Sequence, residues 1–135
     1  QSILTPHIKE LDRLIGTCNH SIDRHKKQLE MSMKYNIYIL RKGKHSCITT
    51  PEGVSYFNTT GNAGMATAGS GDALAGIIGG LFAQYQNILA AALMGVYIHG
   101  LAGDLYAEEN AEESLIANDL IENLGKAFRS SFYTL

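Results

Sequence analysis

Apolar residues concentrate in one long segment of the chain. Residues 73–106 contain a single charged side chain, Asp104, and a polar interruption at residues 84–87. This pattern predicts two helices, one directly after Asp72 and one over about residues 88–108. Since the first of these helices carries no charge on any side, we expect it to be buried on most faces. The glycines and polar residues within the segment favour a packed core over a membrane span.

The chain before this segment alternates between short apolar runs and amphipathic stretches. Residues 2–5 predict the end of a strand, which Pro6 stops because it cannot donate a ladder hydrogen bond. Leucine and isoleucine then recur at helical spacing up to Gly16, where glycine favours a helix end. A second helix is predicted over residues 22–35, with Ser21 as its cap. Its expected apolar face comprises Ile22, Leu29 and Met33.

Three further apolar runs predict strands. Residues 37–40 favour a buried strand, whereas residues 47–49 and 54–57 favour the two arms of a hairpin. Residues 50–53 read Thr-Pro-Glu-Gly and suit the turn between the arms, because proline followed two residues later by glycine is typical of such turns. At the far end of the chain, Asn118 is expected to cap a last amphipathic helix.

Composition and charge narrow the classes of protein. The 135 residues are 45% hydrophobic and 18% charged, which is typical of one compact domain. A formal net charge of −2 gives no electrostatic basis for nucleic-acid binding. Cys18 and Cys47 are isolated in the sequence, so neither a metal knuckle nor a redox motif is indicated, and a reducing, cytoplasmic setting is expected.

The candidate chemistry lies where the glycine-rich residues 62–72 enter the long apolar segment. Gly69 and Gly71 lack a Cβ, so the backbone can turn sharply and approach a ligand closely. A helix start offers free N–H groups and the positive end of a dipole, which attract anions and keep a carboxylate such as Asp72 ionised. The pattern therefore predicts an anion site beside a base. An ordinary tight turn with Asp72 as a helix cap is the alternative; a Walker A loop is excluded because no Gly-Lys-Ser/Thr follows.

Residues 61–76 resemble the signature loop of the ADP/ATP-dependent NAD(P)H-hydrate dehydratases, which are members of the ribokinase-like superfamily. In that family the loop reads nearly G-N-P-G-M-A-T-G-G-S-G-D-x-L-x-G-I-I. This chain has Ala63 where proline is usual and Ala68 where glycine is usual. Neither change removes a reactive group, and Ala68 matters only if its position requires a positive φ.

Other segments extend the resemblance to residues 4–128. Residues 5–10 are similar to the family's T-P-H-x-x-E and to the T-P-N-x-x-E of related small-molecule kinases. Residues 42–46 are similar to a K-G-x-x-T-like segment that contacts the nucleotide in the family. Residues 97–104 resemble the family's Y-x-H-G-x-A-G-D, and residues 117–121 resemble its A-S-D-L-I.

The resemblance implies a role for each of these segments. Asp72 would be the base on a substrate hydroxyl. The N–H groups of Gly69, Ser70 and Gly71 would form an anion hole for the moving phosphoryl group. His7 would contact the hydrated NAD(P)H substrate, and Glu10 would lie near a phosphate that binds Mg²⁺. Contacts to the nucleotide, ADP or ATP, would come from Lys42, Gly43, Lys44, His45, Ser46 and Gly71.

Simpler interpretations follow from the residues alone. His7 is then a surface loop residue, Glu10 is a solvated helix charge, and residues 42–46 form a charged hairpin turn. His99 fits a buried, hydrogen-bonded histidine better than a ligand. Asp104 is expected to orient its neighbours and not to be catalytic.

For the chain as a whole, the resemblance implies an α/β, ribokinase-like three-layer α/β/α fold. Residues 1–135 would be the C-terminal portion of that domain, incomplete at its N-terminus. The implied activity is nucleotide-dependent dehydration of hydrated NAD(P)H, through phosphorylation of the hydrate hydroxyl and elimination of phosphate. A ribokinase-like kinase for a vitamin precursor and a non-enzymatic nucleotide-binding domain are the alternatives. We also expect a homo-oligomer or association with the upstream part of the same protein, and no binding to nucleic acid or membranes.

Overall fold

A computed structural model describes residues 2–132 of the chain. The chain forms two compact units, and the boundary between them lies between Asn58 and Thr59. The sequence pattern predicts one domain portion over the whole chain, and this remains a prediction.

The first unit is a small mixed sheet with two helices. The elements are β1 (Ile3–Leu4), α1 (Ile8–Ile15), α2 (Ser21–Tyr35), β2 (Tyr38–Arg41), β3 (Cys47–Thr49) and β4 (Ser55–Phe57). The strands follow the order β1-β2-β3-β4 in the sheet. Strand β1 is parallel to β2, whereas the pairs β2–β3 and β3–β4 are antiparallel. The predicted strand, buried strand and hairpin are therefore confirmed.

Two glycines of this unit lie where the sequence predicts them, one at the end of a helix and one in the hairpin turn. Gly16 is the C-cap of α1, with φ 83°. Gly53 has φ 82° and donates its N–H to the carbonyl of Thr50 at 3.1 Å, which closes the turn between β3 and β4. A positive φ costs little only at glycine, so the sequence signal and the backbone agree at these two positions.

The expected apolar face of α2 is wrong. Ile22 is 67% exposed and Met33 is 54% exposed, whereas Gln28 and Ser32 are fully buried. The Gln28 side-chain amide donates to the carbonyls of Ile39 and Cys47, each at 3.1 Å, and the Ser32 hydroxyl lies 2.7 Å from Thr49 Oγ1. The buried face of α2 is thus polar because its side chains make hydrogen bonds to the sheet.

The predicted cap of α2 is wrong as well. Ser21 is the first helical residue, and His20 occupies the N-cap position without a side-chain hydrogen bond to the helix. A one-residue shift of this kind is common, since sequence signals locate helix starts only approximately.

Within residues 59–132, the second unit consists of three long helices and two short 3₁₀ helices. The long helices are α3 (Ser70–Tyr85), α4 (Ile88–Glu109) and α5 (Ala117–Phe132), and the 3₁₀ helices cover Ala63–Met65 and Glu112–Ser114. Helix α4 begins where predicted, because the Asn87 side chain accepts a hydrogen bond from the Ala90 N–H at 2.9 Å and caps it.

Helix α4 is the centre of this unit. It carries nine buried residues, six of which are alanine or glycine, and it packs against both α3 and α5. A Cβ at Gly95 would lie 2.6 Å from Ile78 Cγ1, so glycine is what allows α3 and α4 to approach closely. By length and composition alone α4 could cross a membrane, but half of its most apolar window is buried inside the structure. A helix in the core of a protein can have the same length and apolar composition as a membrane span.

Two expectations for the flanking helices are wrong. Helix α3 is not buried on most faces: Leu74, Ile78 and Leu81 are buried, whereas Phe82 is 38% exposed. The buried residues of α3 recur every three or four positions and so form one stripe along the helix. Among the residues that the structure describes, a Cβ at the interior glycines of α3 would meet nothing within 4 Å. Those glycines are Gly76, Gly79 and Gly80.

Helix α5 is not capped by Asn118, which lies inside it as the second residue. Asp119 Oδ2 instead accepts a hydrogen bond from the Ile116 N–H at 2.9 Å, just before the helix starts. Asn118 donates its side-chain amide to Glu122 at 2.7 Å, along the helix surface.

Candidate active site

The glycine-rich loop ends at an uncapped helix start. Gly69 is the N-cap of α3, in a left-handed conformation with φ 83°, and it has no side chain that could accept from the helix. The first intrahelical bond runs from the Ala73 N–H to the Gly69 carbonyl at 2.9 Å. The N–H groups of Gly71 and Asp72 therefore lie in the first turn, at the positive end of the helix dipole, where anions bind.

Asp72 is the third residue of α3 and is exposed. The alternative in which Asp72 is the capping residue is wrong, because Gly69 holds that position. A carboxylate in the first helical turn is stabilised by the dipole, and an exposed one can reach a ligand. The geometry thus supplies an anion-binding backbone and a carboxylate within one helical turn.

The three residues before Asp72 do different things. Gly69 makes the turn, whereas Gly71 has helical backbone and does not turn the chain. The Ser70 N–H donates to the Thr67 carbonyl at 3.3 Å, and its side chain is buried. Gly71 and Asp72 are therefore better placed than Ser70 to donate to a ligand.

The two departures from the family loop are accommodated. Ala68 does not adopt a positive φ, since the non-glycine residues that do so within residues 2–132 are Asn36 and Gln86. Ala63 is the first residue of the 3₁₀ helix Ala63–Met65, a position at which proline is tolerated because its missing N–H is not needed.

Asp104 on α4 holds the beginning of the loop. Its Oδ2 accepts from the Gly61 N–H at 2.8 Å, and its Oδ1 accepts from the Asn62 side-chain amide at 3.1 Å. Asn62 Oδ1 in turn accepts from the Gly64 N–H at 3.1 Å. The expectation that Asp104 orients its neighbours is confirmed, and the neighbours are in the glycine-rich loop.

His99 on α4 holds the end of the loop. The side chain is 7% exposed, and its Nε2 lies 3.0 Å from the Ser70 carbonyl oxygen. Burial lowers the pKa of His99, and the hydrogen bond to Ser70 only partly opposes this. A neutral imidazole that donates from Nε2 to a carbonyl fits this contact. The interpretation of His99 as a buried, hydrogen-bonded histidine is confirmed.

Glycines on α4 let the loop lie directly on the helix. A Cβ at Gly100 would overlap Thr60 Oγ1 and lie 2.7 Å from the Thr60 carbonyl. A Cβ at Gly103 would lie 2.5 Å from Met65 Sδ. The Thr60 hydroxyl also donates to the Tyr97 carbonyl at 2.9 Å. The motif over residues 97–104 is thus the surface on which the loop is built.

In the first unit, His7 and Glu10 form the cap of α1. The His7 N–H donates to Glu10 Oε2 at 2.8 Å, and the Glu10 N–H donates to His7 Nδ1 at 3.2 Å. This reciprocal pair is a capping box. The hydrogen bond from the His7 N–H, above all, lowers the pKa of the Glu10 carboxyl, and the charge of Lys42 acts in the same direction. Glu10 is exposed, as the simpler interpretation expects.

Residues 42–46 form the turn between the antiparallel strands β2 and β3. The Lys42 N–H donates to the Pro6 carbonyl at 2.9 Å, which joins the ends of β1 and β2. Ser46 Oγ donates to the Gly43 carbonyl at 3.3 Å, and a Cβ at Gly43 would meet nothing within 4 Å. The hairpin interpretation is confirmed, and His7, Glu10 and Lys42 meet at the carboxyl ends of two parallel strands.

Within residues 2–132, no group of three or more His, Cys, Asp or Glu side chains is arranged to hold a metal ion. A single carboxylate is nevertheless compatible with Mg²⁺, which keeps several waters and takes its other ligands from substrate phosphates. Glu10 is such a carboxylate, and its lowered pKa keeps it ionised.

Sequence reasoning missed two residues of the loop. Asn62 uses its side chain to bridge Asp104 and the Gly64 N–H, and a Cβ at Gly64 would overlap the Glu112 carbonyl. The sequence carries one indication of these contacts. A loop rich in glycine and polar residues occurs together with a helical segment, residues 97–104, whose small glycine and alanine side chains leave room for a close neighbour.

A family model described as NAD(P)H-hydrate dehydratase matches residues 1–126. The chain is 43% identical over 131 residues to the bifunctional NAD(P)H-hydrate repair enzyme of Thermofilum pendens, and the match covers 96% of this chain and 25% of that protein.

Two solved structures are also similar. The ADP/ATP-dependent NAD(P)H-hydrate dehydratase from Bacillus subtilis, co-crystallised with ATP and Mg²⁺ and soaked with CoA, superposes with a TM-score of 0.88 at 31% identity, over 95% of this chain and 48% of that one. A ribokinase-like superfamily protein from Enterococcus faecalis superposes with a TM-score of 0.82 at 30% identity, over 95% and 44% of the two chains. The chain therefore spans only about a quarter to a half of the length of these relatives.

Proposed function

Because the chain belongs to the NAD(P)H-hydrate dehydratase family and has a ribokinase-like α/β fold, we propose that it takes part in ADP- or ATP-dependent dehydration of hydrated NAD(P)H. The substrate carries water added across the 5,6 double bond of the nicotinamide ring. Direct loss of that water is slow because hydroxide is a poor leaving group. We expect the reaction to take place in a reducing, cytoplasmic setting.

The proposed reaction has two steps. The hydrate hydroxyl attacks the terminal phosphorus of the nucleotide, the bond from that phosphorus to the rest of the nucleotide breaks, and a base takes the hydroxyl proton. Phosphate and a ring proton then leave, which restores the double bond. Phosphoryl transfer depends mainly on positioning and on stabilisation of charge, and a helix start supplies both.

Asp72 is the proposed base. The observation that supports this role is the start of α3, where an exposed carboxylate shares one turn with uncapped N–H groups. Gly71 and Asp72 would donate N–H groups to the moving phosphoryl, with Gly69 shaping the turn. The Ser70 N–H has a lesser part, because it already donates to Thr67.

The remaining assignments lie in the first unit. Residues 42–46 would contact the nucleotide, His7 would contact the hydrate, and Glu10 would hold Mg²⁺ together with substrate phosphates. Mg²⁺ supplies neutralisation of phosphate charge when it is bound. The lowered pKa of Glu10 and the exposure of its carboxylate support this role.

The test is Asp72→Asn in the natural protein that contains this chain. An amide keeps the shape of the carboxylate but cannot accept the proton, so turnover should fall by at least about 10²-fold while nucleotide affinity is kept. Recovery of NADH from its hydrate is measured with ADP and with ATP. Asp23→Asn is the matched control, since Asp23 is also an exposed carboxylate in the first turn of a helix.

The products separate the alternatives. NADH and free phosphate support the dehydratase, whereas an accumulating phosphate ester of a vitamin precursor would identify a kinase. Nucleotide binding without any turnover would identify a sensing domain. Near-normal turnover by the Asp72→Asn variant would exclude Asp72 as the base.

We further propose that residues 1–135 do not act as a lone monomer. The support is the exposed side of α3, which carries Phe82, and the outer edge of β1, which pairs with no strand among residues 2–132. Light scattering on the chain should give a mass above 14.7 kDa, and Phe82→Ser should lower it. Leu14→Ser, at an exposed position of α1, is the control. A monomer with normal activity would contradict this proposal.

A further inference from the structure

Both ends of the glycine-rich loop are attached to the same stretch of one helix. Asp104 holds Gly61 and Asn62, and His99 holds Ser70. Positions 99 and 104 are separated by about 7.5 Å along a helix axis. A segment such as residues 61–70 can span roughly 30 Å when extended. The loop is therefore folded back onto α4 and closed by these two attachments.

The attachment at Asp104 is the stronger of the two. A carboxylate that accepts from two donors makes charge-assisted hydrogen bonds, which are stronger than neutral ones. The loop backbone lies against α4 here, because Gly100 leaves room for Thr60 and Gly103 leaves room for Met65. Helix α4 cannot shift to follow the loop, since α3 and α5 pack on it.

The helix start that carries Asp72 depends on this closure. Ser70 is the first residue of α3, and its carbonyl and hydroxyl lie 3.0 Å and 3.4 Å from His99 Nε2. If Asp104 releases the beginning of the loop, the turn at Gly69 is held only by the contact between Ser70 and His99. A misplacement of about 1 Å at a reacting group can cost about 10²-fold in rate.

We propose that Asp104 is a positioning residue: by holding Gly61 and Asn62 on α4 it closes the loop against Ser70 and fixes the first turn of α3, which carries Asp72. The consequence for turnover rests on the proposed function. The consequence for the loop does not, so the two are measured separately.

The test compares Asp104→Asn with Glu108→Gln in the natural protein that contains this chain. An asparagine at 104 replaces one of the two accepting oxygens with an NH2 group, which cannot accept, so one of the two hydrogen bonds is lost. Glu108 also lies on α4 but is exposed, so Glu108→Gln removes a charge from the same helix without touching the loop. Amide hydrogen exchange over residues 61–72 is measured first, and kinetics second.

The expected result is faster exchange over residues 61–72 in Asp104→Asn but not in Glu108→Gln. In the same variant kcat should fall by about 10-fold or more, and KM for the nucleotide should change less. Wild-type exchange in Asp104→Asn would overturn the proposal, and so would faster exchange with unchanged kcat. If the wild-type protein has no dehydratase activity, the proposed function fails while the exchange result still decides whether Asp104 holds the loop.

A second variant covers the case in which Asp104→Asn does not fold. Asn62→Ala removes the amide donor to Asp104, together with the oxygen that accepts from the Gly64 N–H, and leaves the buried helix unchanged. It should raise exchange over the same residues, and unchanged exchange would overturn the proposal. Where both variants fold, their effects on kcat should be non-additive, because they break one shared contact; additive effects would contradict the proposal.

Discussion

The two sets of candidate site residues are organised in opposite ways. In the first unit the side-chain hydrogen bonds of these residues are local, because the His7–Glu10 cap joins residues three positions apart and the Ser46–Gly43 hydrogen bond lies within one hairpin turn. In the second unit they are long range, because Asp104 lies 43 and 42 positions from Gly61 and Asn62, and His99 lies 29 positions from Ser70.

This difference teaches where the protein is sensitive to substitution. A capping box forms from a few neighbouring residues and needs little from the rest of the fold. The loop that leads to Asp72 forms only if α4 is packed and in register. Substitutions on α4 should therefore destroy the loop without touching a ligand, whereas substitutions in the cap or hairpin should change ligand contacts and leave the fold nearly intact.

The largest effect is expected for Gly100→Ala. The added Cβ would meet the Thr60 backbone at 2.7 Å, and backbone on both sides cannot give way as a flexible side chain can. The loop must move, so turnover should fall by about 10²-fold or more. The free energy of unfolding should fall by about 1–3 kcal/mol, the usual cost of overpacking. Steady-state kinetics and chemical denaturation measure the two effects.

Gly125→Ala is the matched control for this prediction. A Cβ at Gly125 would meet nothing within 4 Å, and the position is exposed in the interior of α5. Alanine is the better helix former, so stability should rise by about 0.5–1 kcal/mol with turnover unchanged. If Gly100→Ala behaved in the same way, the loop would not depend on the close approach to α4.

The next effect is a pH dependence that comes from His99. Burial lowers the pKa of His99 below the ordinary histidine value of about 6.5, so the unfolded chain takes up a proton that the folded chain resists. The stability contributed by the neutral ring is complete above about pH 6.5 and is lost as the pH falls below it. The slope is at most about 1.4 kcal/mol per pH unit for one group.

Urea unfolding between about pH 7.5 and pH 5 tests this, with the wild type compared with His99→Gln. The variant should show a shallower decline, because it has no proton to take up at this position. His25 contributes in the same direction, since burial and the charge of Arg41 lower its pKa, so some decline should remain. Equal slopes for the wild type and His99→Gln would contradict the prediction.

The sequence predicted most of the elements, since their signals are local. Gly16 ends a helix and Gly53 lies in the hairpin turn, as expected. The burial of α2 and α3 was predicted wrongly for one physical reason. Hydrophobicity alone does not determine burial, because α2 buries Gln28 in hydrogen bonds to the sheet, whereas the apolar helix α3 buries a single stripe that contains Leu74, Ile78 and Leu81.

The sequence predicts which residues form the candidate site, but not the contacts that hold them in place. The helix start at Asp72 follows from glycine and dipole arguments that concern adjacent positions. The attachment of Asn62 to Asp104 joins residues 42 positions apart, and no periodicity in the sequence encodes that distance. The resemblance over residues 97–104 marks this segment without saying what it contacts.

The smallest effect on folding is expected for Glu10→Gln, and it tests the local side of the comparison. The glutamine oxygen can still accept from the His7 N–H, so the cap of α1 is kept and the melting temperature should stay close to that of the wild type. The lost charge should matter for Mg²⁺: the concentration needed for half-maximal turnover should rise by about 10-fold. Glu30→Gln, on α2, is the control for removing one carboxylate from the first unit.

If the Mg²⁺ requirement of Glu10→Gln is that of the wild type, the role of Glu10 ends at the helix cap. If its melting temperature falls as far as that of Gly100→Ala, the cap is as dependent on the whole fold as the loop is, and the contrast between local and long-range organisation is wrong.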